Sequence, residues 1–123
     1  EIYPGLWQMV SGSIHDGEMA YQTALREILE ETNLKPKLLW VVPNVNSFYS
    51  PEKNYISFLP VFVVKVDSNS KVRISNEHTE YKWVSKNKAK KILAWVGQHK
   101  SVDIIHDYFT KKKSYLKFVE IKI

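Results

Sequence analysis

The sequence predicts a single α/β domain in which helices pack on a mixed β-sheet. Residues 21–28 place apolar side chains at helical spacing, whereas residues 38–42 and 55–66 are runs of β-branched and aromatic residues typical of strands. Two further helical patterns follow between residues 89 and 109. A chain of 123 residues can form one compact core, and helices layered on a sheet bury the apolar face of each element.

The first helix is predicted over about Ala20 to Thr32. Four apolar residues between positions 21 and 28 fall at i, i+3, i+4 and i+7, which makes one apolar stripe about 100° wide. Asn33 is expected to take the left-handed conformation that ends a helix, and Pro36 prevents continuation. The start is less clearly marked, because Met19 stands where an N-cap Ser or Thr is expected.

Two main strands are predicted after this helix, over Leu38–Val42 and Tyr55–Val66. Pro60 marks an edge or a bulge, because proline cannot donate to a strand ladder. The polar segment 43–54 between the strands is expected to be a loop. Shorter strands are expected at Leu6–Val10, Val72–Ile74 and Tyr81–Val84.

Two helices are predicted in the last third of the chain. Apolar residues recur at helical spacing from Ala89 to Val96 and from Val102 to Phe109, with Ser101 as the expected N-cap of the second helix. For the tail 114–123, the sequence is consistent with either a strand or an ordered arm. Since no linker or internal repeat is visible, residues 1–123 are expected to form one domain.

Composition and charge exclude several classes of protein. The chain has no cysteine, so disulfides and thiolate metal sites are excluded, and no apolar run reaches the roughly 18–20 residues of a membrane span. No signal peptide is visible, and we expect a cytoplasmic protein. The net charge is +5, and lysines cluster at positions 86–91 and 111–113. These could steer an anionic substrate, but solvated helix faces are favoured over nucleic-acid binding.

Three glutamates crowd the end of the first predicted helix. Glu27, Glu30 and Glu31 are related by three and four residues, so their carboxylates share one face. Each like-charge pair costs roughly 0.2–0.5 kcal/mol, and the negative end of the helix dipole disfavours anions further. Arg26 offsets only part of this repulsion. A hard cation would neutralise the group, so the cluster predicts a metal site with oxygen ligands.

The spacing around these glutamates matches a known motif. Gly12, Glu18 and the run from Arg26 to Leu34 match the pattern G-x5-E-x7-R-E-U-x-E-E-x-G-U, where U is a bulky apolar residue. The chain therefore resembles the Nudix hydrolases, which implies an α/β/α sandwich. Asn33 replaces the last glycine, a mild departure because Asn is the best non-glycine occupant of the left-handed region. Nudix domains normally carry another strand before this motif, so we expect the domain to be incomplete at its N-terminus.

The resemblance also implies a metal centre and the roles of its residues. Carboxylates with no Cys or His beside them suit Mg2+ or Mn2+ and disfavour zinc. The implied metal ligands are the carbonyl of Gly12 and the carboxylates of Glu27, Glu30 and Glu31. Glu27 is alternatively the base that deprotonates water, and Arg26 would orient it. Glu18 would pair with Arg26 or reach a metal through water.

A glutamate well downstream of the motif is a further candidate. Glu77 lies in "EHTEYKWV", which resembles a loop that supplies a metal ligand or a base in some Nudix branches, and Glu80 is the alternative. His78 and His15 are expected on the surface or behind the ligands.

Candidate substrate-binding residues lie in two segments outside the motif. "WQMVSGSI" resembles the dihydroneopterin triphosphate and deoxynucleoside triphosphate branch, in which Trp7 could stack on a ring and Gln8 could read its edge. Tyr49 is expected to line the cleft. Burial in the core is the alternative for both aromatic residues.

Together these patterns predict a Mg2+-dependent pyrophosphohydrolase that cleaves a nucleoside-like triphosphate into a monophosphate and pyrophosphate. The alternatives are a Nudix hydrolase of another phosphoanhydride, such as an oxidised nucleotide, a dinucleoside polyphosphate or an RNA 5′ end, and a module that senses nucleotides without cleaving them. The expected partner is the small-molecule substrate, with no membrane, and a homodimer is left open.

Overall fold

The computed structural model describes residues 6–123 and confirms the predicted α/β class. A helix is followed by a long hairpin, two helices, a 3-10 helix and a short strand. The elements in chain order are α1 (Ala20–Thr32), β1 (Leu38–Ser50), β2 (Tyr55–Lys65), α2 (Lys86–Ile92), α3 (Val96–Thr110), the 3-10 helix (Lys113–Phe118) and β3 (Glu120–Ile121).

The described strands form one antiparallel sheet in the order β2-β1-β3. The register between β1 and β2 runs from Leu38 opposite Lys65 to Ser50 opposite Tyr55, with an irregularity between Val42 and Val45. Pro43 lies in that interval, where its missing N–H removes no regular ladder bond.

The predicted loop over residues 43–54 was wrong for most of its length, because β1 continues to Ser50. Backbone pairing with the apolar strand β2 overrides the turn-like composition of this segment. Only residues 51–54 turn, and Asn54 takes a positive φ of 55° there. Pro60 lies opposite Val45 at the bulge, on a strand at the edge of the described sheet, as predicted.

Both faces of the sheet are covered at its centre. Leu39 and Trp40 are consecutive residues of β1, so their side chains point to opposite faces, yet they are only 0% and 5% exposed. Phe109 of α3 meets the Trp40 ring edge-on, with ring centroids 5.0 Å apart. Helix α1 contacts β2. This arrangement is the expected layering of helices on a sheet.

Helix α1 has the predicted bounds, and Asn33 has the predicted left-handed conformation with a φ of 60°. The Asn33 N–H donates to the carbonyl of Leu29, which closes the helix end. At the start, the Met19 side chain makes no cap hydrogen bond, but Gln22 Oε1 accepts the backbone N–H of Met19 at 2.8 Å, as the N3 residue of a capping box does.

The three shorter strands predicted at Leu6–Val10, Val72–Ile74 and Tyr81–Val84 were wrong, because the structure assigns none of these segments to a strand. Trp7 makes only an isolated bridge to Leu93. The segment around residue 73 binds the end of α1 instead. The N–H of Arg73 donates to the carbonyl of Thr32, and the N–H of Ser75 donates to that of Glu31. Carbonyls at a helix end lack partners within the helix, so they compete with a strand for this segment.

The C-terminal helices differ from prediction in where they begin. Helix α3 starts at Val96, so Ser101 lies inside it and is not the N-cap. Ser101 is fully buried, donates to the carbonyl of Gly97 and accepts a hydrogen bond from Asn44 at 2.9 Å. The tail forms the 3-10 helix and β3, which pairs with the start of β1. Between residues 6 and 123, no helix is long and apolar enough to cross a membrane.

Candidate active site

Arg26 contacts three carboxylates of the motif, those of Glu18, Glu27 and Glu30. Its Nε donates to Glu18 Oε2 at 2.7 Å and its Nη2 to Glu18 Oε1 at 3.0 Å, which makes a two-pronged pair. Its Nη1 donates to Glu27 at 2.8 Å and to Glu30 at 3.3 Å. One guanidinium therefore offsets much of the repulsion that the sequence predicts.

The pair formed by Arg26 and Glu18 stays charged across the physiological range. The hydrogen bond from Arg26 lowers the pKa of Glu18 from 4.5 to about 2. The same bond raises the pKa of Arg26 above its ordinary value. Since both groups are held in their ionised forms, Arg26 is a fixed cation at this site.

The loop before α1 comes very close to Glu27. A Cβ atom at Gly12 would overlap the Glu27 carboxyl group, so only glycine allows this approach. Arg26 Nη2 also donates to the carbonyl of Ser13 at 2.9 Å, which ties the same loop to the helix. The main chain that carries Gly12 is thereby held beside a candidate ligand.

Glu31 lies in different surroundings from the other glutamates. Its side chain is only 9% exposed, against 57% for Glu30. His78 Nε2 lies 2.5 Å from Glu31 Oε1, while Glu31 Oε2 is buried and has no hydrogen-bond partner among the described residues. Burial raises the pKa of Glu31; His78 opposes that shift and nearby Glu27 adds to it.

A second group of ligand atoms forms at Glu31. One donor atom each from Glu31, Glu77 and His78 lies within 4.8 Å of the others. The Ser75 bond to the end of α1 brings the loop to this position, and the His78 N–H donates back to the Ser75 carbonyl. Glu77 is thus placed near Glu31, whereas Glu80 is not in this group, and the role of Glu77 stays a prediction.

His78 is expected on the surface or behind the ligands, and its partly exposed ring lies beside Glu31, one of the predicted ligands. What the sequence did not predict is this particular contact, which joins residues 47 positions apart. The only signal in the sequence is that His78 follows Glu77 directly. His15 takes part through its main chain, whose N–H donates to Glu18 Oε1.

These residues fit a divalent metal ion. A buried carboxylate oxygen without a hydrogen-bond partner is costly unless a cation binds it, and Glu31 Oε2 is such an atom. Ligand atoms on opposite sides of one ion lie roughly 4.2 Å apart, twice a bond of about 2.1 Å. The ligand atoms of Glu31, Glu77 and His78 lie within 4.8 Å of one another, which is close to that limit.

The predicted substrate-binding residues lie outside this cluster. Trp7 is half-buried, and Lys82 Nζ lies 5.1 Å from the centroid of its ring, so a cation occupies one ring face. Gln8 is partly buried. Tyr49 is 56% exposed near the hairpin turn, where its hydroxyl donates to Asn54 at 2.7 Å.

The protein is of the α/β class and has a cluster of carboxylates at the end of its first helix. The family model of the NUDIX domain matches residues 1–107 of this chain. The chain therefore belongs to the Nudix family.

Curated relatives match at low identity. The chain is 31% identical over 105 residues to an octanoyltransferase of Myxococcus xanthus, across 80% of this chain and 28% of that protein. It is 29% identical to the mouse bis(5′-nucleosyl)-tetraphosphatase, across 68% of this chain and 58% of that protein. It is 26% identical to the nucleoside triphosphatase NudI of Escherichia coli, across 68% of this chain and 64% of that protein. The chain thus spans less than two thirds of each of these relatives.

Among solved structures, a Listeria monocytogenes protein assigned to the NUDIX hydrolases superimposes with a TM-score of 0.72. The two are 29% identical, and the match covers 85% of this chain and 75% of that one. The similarity extends well beyond the motif, so it supports the fold of the whole described domain.

Proposed function

We propose that this protein is a metal-dependent hydrolase that cleaves a nucleoside-like triphosphate into a monophosphate and pyrophosphate. The observation that carries the proposal is the group of Glu31, Glu77 and His78 beside the carboxylates that Arg26 holds. The carboxylates of these groups offer oxygen ligands, which suit Mg2+ or Mn2+.

The residues that would hold the metal are the carboxylates on one side of α1 and the loops next to them. They are Gly12 through its carbonyl, Glu27, Glu30, Glu31 and Glu77. When bound, the ion neutralises phosphate charge and lowers the pKa of a water ligand.

The chain's own residues supply positioning and proton transfer. Arg26 holds one oxygen of Glu27 at 2.8 Å, which orients that carboxylate toward the loop of Gly12. Glu27 would accept the proton of the attacking water, with Glu77 as the alternative base. Glu18 keeps Arg26 in place through its two hydrogen bonds and needs no direct contact with substrate.

The substrate class follows from the two segments outside the motif. "WQMVSGSI" and "EHTEYKWV" resemble the branch that cleaves dihydroneopterin triphosphate and deoxynucleoside triphosphates. The similarity to NudI, named a nucleoside triphosphatase, supports a triphosphate. Lys82 covers one face of Trp7, so a base or pterin would stack on the other face. We expect cleavage between the α and β phosphorus atoms.

A dinucleoside polyphosphate is the second candidate substrate. The mouse relative that acts on such a compound by name is 29% identical over 89 residues, which is slightly more than NudI. A module that only senses nucleotides has less support, because the chain retains Glu27, Glu30 and Glu31.

The test is hydrolysis by the intact protein with Mg2+ of dihydroneopterin triphosphate, dATP, ADP-ribose and a dinucleoside tetraphosphate. Pyrophosphate and single phosphate would be measured separately, with Glu31→Gln as the inactive control. Release of pyrophosphate from either of the first two supports the proposal. Preferred cleavage of the tetraphosphate supports the second candidate, and no hydrolysis of any of the four overturns the proposed enzymatic activity.

A further inference from the structure

We propose that His78 is itself a metal ligand, so that the site it forms with Glu31 and Glu77 binds transition-metal ions such as Co2+ and Zn2+ more tightly than Mg2+. This inference rests on the proposed function, because it concerns the same metal centre. It goes further by adding a nitrogen ligand to a set of oxygen ligands and by naming the class of ion that such a set selects.

The position of the His78 ring is the first observation. Its Nε2 lies 2.5 Å from Glu31 Oε1, and the side chain is 30% exposed. A ring buried behind Glu31 would lie on the side away from solvent, yet His78 is more exposed than Glu31, whose side chain is 9% exposed. The imidazole is therefore not buried beneath the carboxylate, and an ion from solvent can reach the ring.

The second observation is the unpaired oxygen of Glu31. Glu31 Oε2 is buried and accepts no hydrogen bond from any described residue, although its partner oxygen meets His78. Both oxygens belong to one carboxylate, so the orphaned atom lies at the same cluster as His78 and Glu77. An acceptor left in this state is expensive to bury, and a bound cation would satisfy it.

The ligand types decide which ion fits. Carboxylate oxygen suits Mg2+ and Mn2+, whereas imidazole nitrogen suits zinc and the later first-row metals. Zinc was disfavoured on sequence because no histidine stood beside the glutamates of α1. The fold removes that objection, since His78 reaches Glu31 across 47 positions of the chain.

The competing role for His78 is that of a positioning residue, which holds Glu31 by a hydrogen bond and never touches the ion. The two roles predict different metal selectivity. Loss of a positioning residue weakens Mg2+ and Co2+ binding together, because both ions use Glu31. Loss of a nitrogen ligand weakens Co2+ binding selectively, because Mg2+ gains little from nitrogen.

His78→Gln separates these roles. The amide of glutamine can still donate a hydrogen bond to Glu31, but it lacks the ring nitrogen. The affinities of the purified wild-type and variant proteins for Co2+ and for Mg2+ would be measured by calorimetry without substrate. His106→Gln is the matched control, because His106 is an exposed histidine on α3 outside the cluster.

We expect His78→Gln to weaken Co2+ binding at least roughly tenfold and to leave Mg2+ binding unchanged. Loss of a residue that only hydrogen-bonds to a ligand already costs about tenfold, and loss of a ligand should cost no less. His106→Gln should change neither affinity. Equal losses for both ions, or no loss for either, overturn the inference while leaving the proposed metal centre standing. If the wild-type protein binds neither ion, the proposed function itself fails.

A second measurement does not depend on a variant at position 78. The ring nitrogens of the four histidines would be followed by NMR during titration with Zn2+, with His15, His99 and His106 assigned by replacing each in turn. Direct ligation should move one ring nitrogen of His78 strongly and saturate at one ion per site. If the ring-nitrogen signals of His78 shift no more than those of the other three histidines, the inference is overturned.

Discussion

Glu30 and Glu31 are neighbours in the chain, but the side chain of Glu30 is exposed to solvent and that of Glu31 is buried. Glu31→Gln should abolish Mg2+-dependent hydrolysis, with a loss of several orders of magnitude, while the metal-free protein holds or gains thermal stability. The physical reason is that burial of the Glu31 carboxylate raises its pKa, which means that its charged form is costly to fold.

The matched variant is Glu30→Gln. It should also lose activity as a metal ligand, but the melting temperature in chelator should stay near that of the wild type, because Glu30 is 57% exposed. Thermal unfolding in chelator and a pyrophosphate assay measure both effects. Normal hydrolysis by either variant would show that its carboxylate is not a ligand.

Glu77 and Glu80 form a second matched pair. Glu77→Ala should reduce kcat strongly and change KM less, because Glu77 lies at the metal cluster rather than at the predicted ring-binding residues. Glu80→Ala should leave both constants near wild type. Steady-state kinetics of both variants measure these effects. A normal kcat for Glu77→Ala together with a reduced kcat for Glu80→Ala would assign the role to Glu80.

The pair of Glu18 with Arg26 makes folding stability depend on pH in acid. The folded pKa of Glu18 is about 2, below its ordinary value of 4.5, so the pair stabilises the fold above about pH 4.5. That stabilisation is lost as the pH falls from 4.5 toward 2. Glu18→Gln should therefore be less stable than wild type at neutral pH, and the difference should shrink across this window. Urea unfolding at several pH values measures it, and a difference that stays constant with pH would refute the assignment.

At the scale of elements, the loop before α1 requires glycine for two different reasons. Gly12→Ala should lower kcat, because the new Cβ would displace the Glu27 carboxyl group. Gly17 has open space around it but a φ of +84°, so Gly17→Ala should cost roughly 1–2 kcal/mol of stability with little effect on kcat. Kinetics and thermal unfolding of both variants separate the effects. A Gly12→Ala enzyme with normal kcat would mean that Glu27 can move without loss of function.

At the scale of the whole molecule, much of the local positive charge is already paired. Lys86 and Lys90 bind Asp103 of α3, and Lys112 binds Asp107. The hydrogen bond from Lys90 lowers the pKa of Asp103, so this pair remains ionised. Such ion pairs are typical of solvated helix faces, and the expectation that nucleic acid is not a partner stays a prediction.

Ion pairing leaves the net charge of +5 unchanged, so this charge should still act on substrate encounter. We expect kcat/KM for a triphosphate to fall as NaCl rises, while kcat stays nearly constant, because salt screens the attraction that brings the two together. Initial rates over a salt series at saturating Mg2+ measure this, with MgCl2 held constant as the control. A parallel fall in kcat would place the effect on the metal site or the fold instead.

Features that arise within one segment could be predicted from the sequence. The bounds of α1 followed from helical period, the left-handed Asn33 and Pro36, all of which act locally. The grouping of Glu27, Glu30 and Arg26 followed equally from helical spacing. The metal and catalytic roles of these residues stay predictions.

Features that join distant segments depend on the fold of the whole chain and could not be predicted from local patterns. β1 extends to Ser50 because its backbone bonds to β2 outweigh a composition that favours turns. His78 meets Glu31 because the loop around Ser75 binds the last carbonyls of α1, a partner that no local pattern could reveal. Secondary structure that depends on local period can be derived from sequence, whereas a contact between residues 47 positions apart depends on which long-range hydrogen bonds the fold makes.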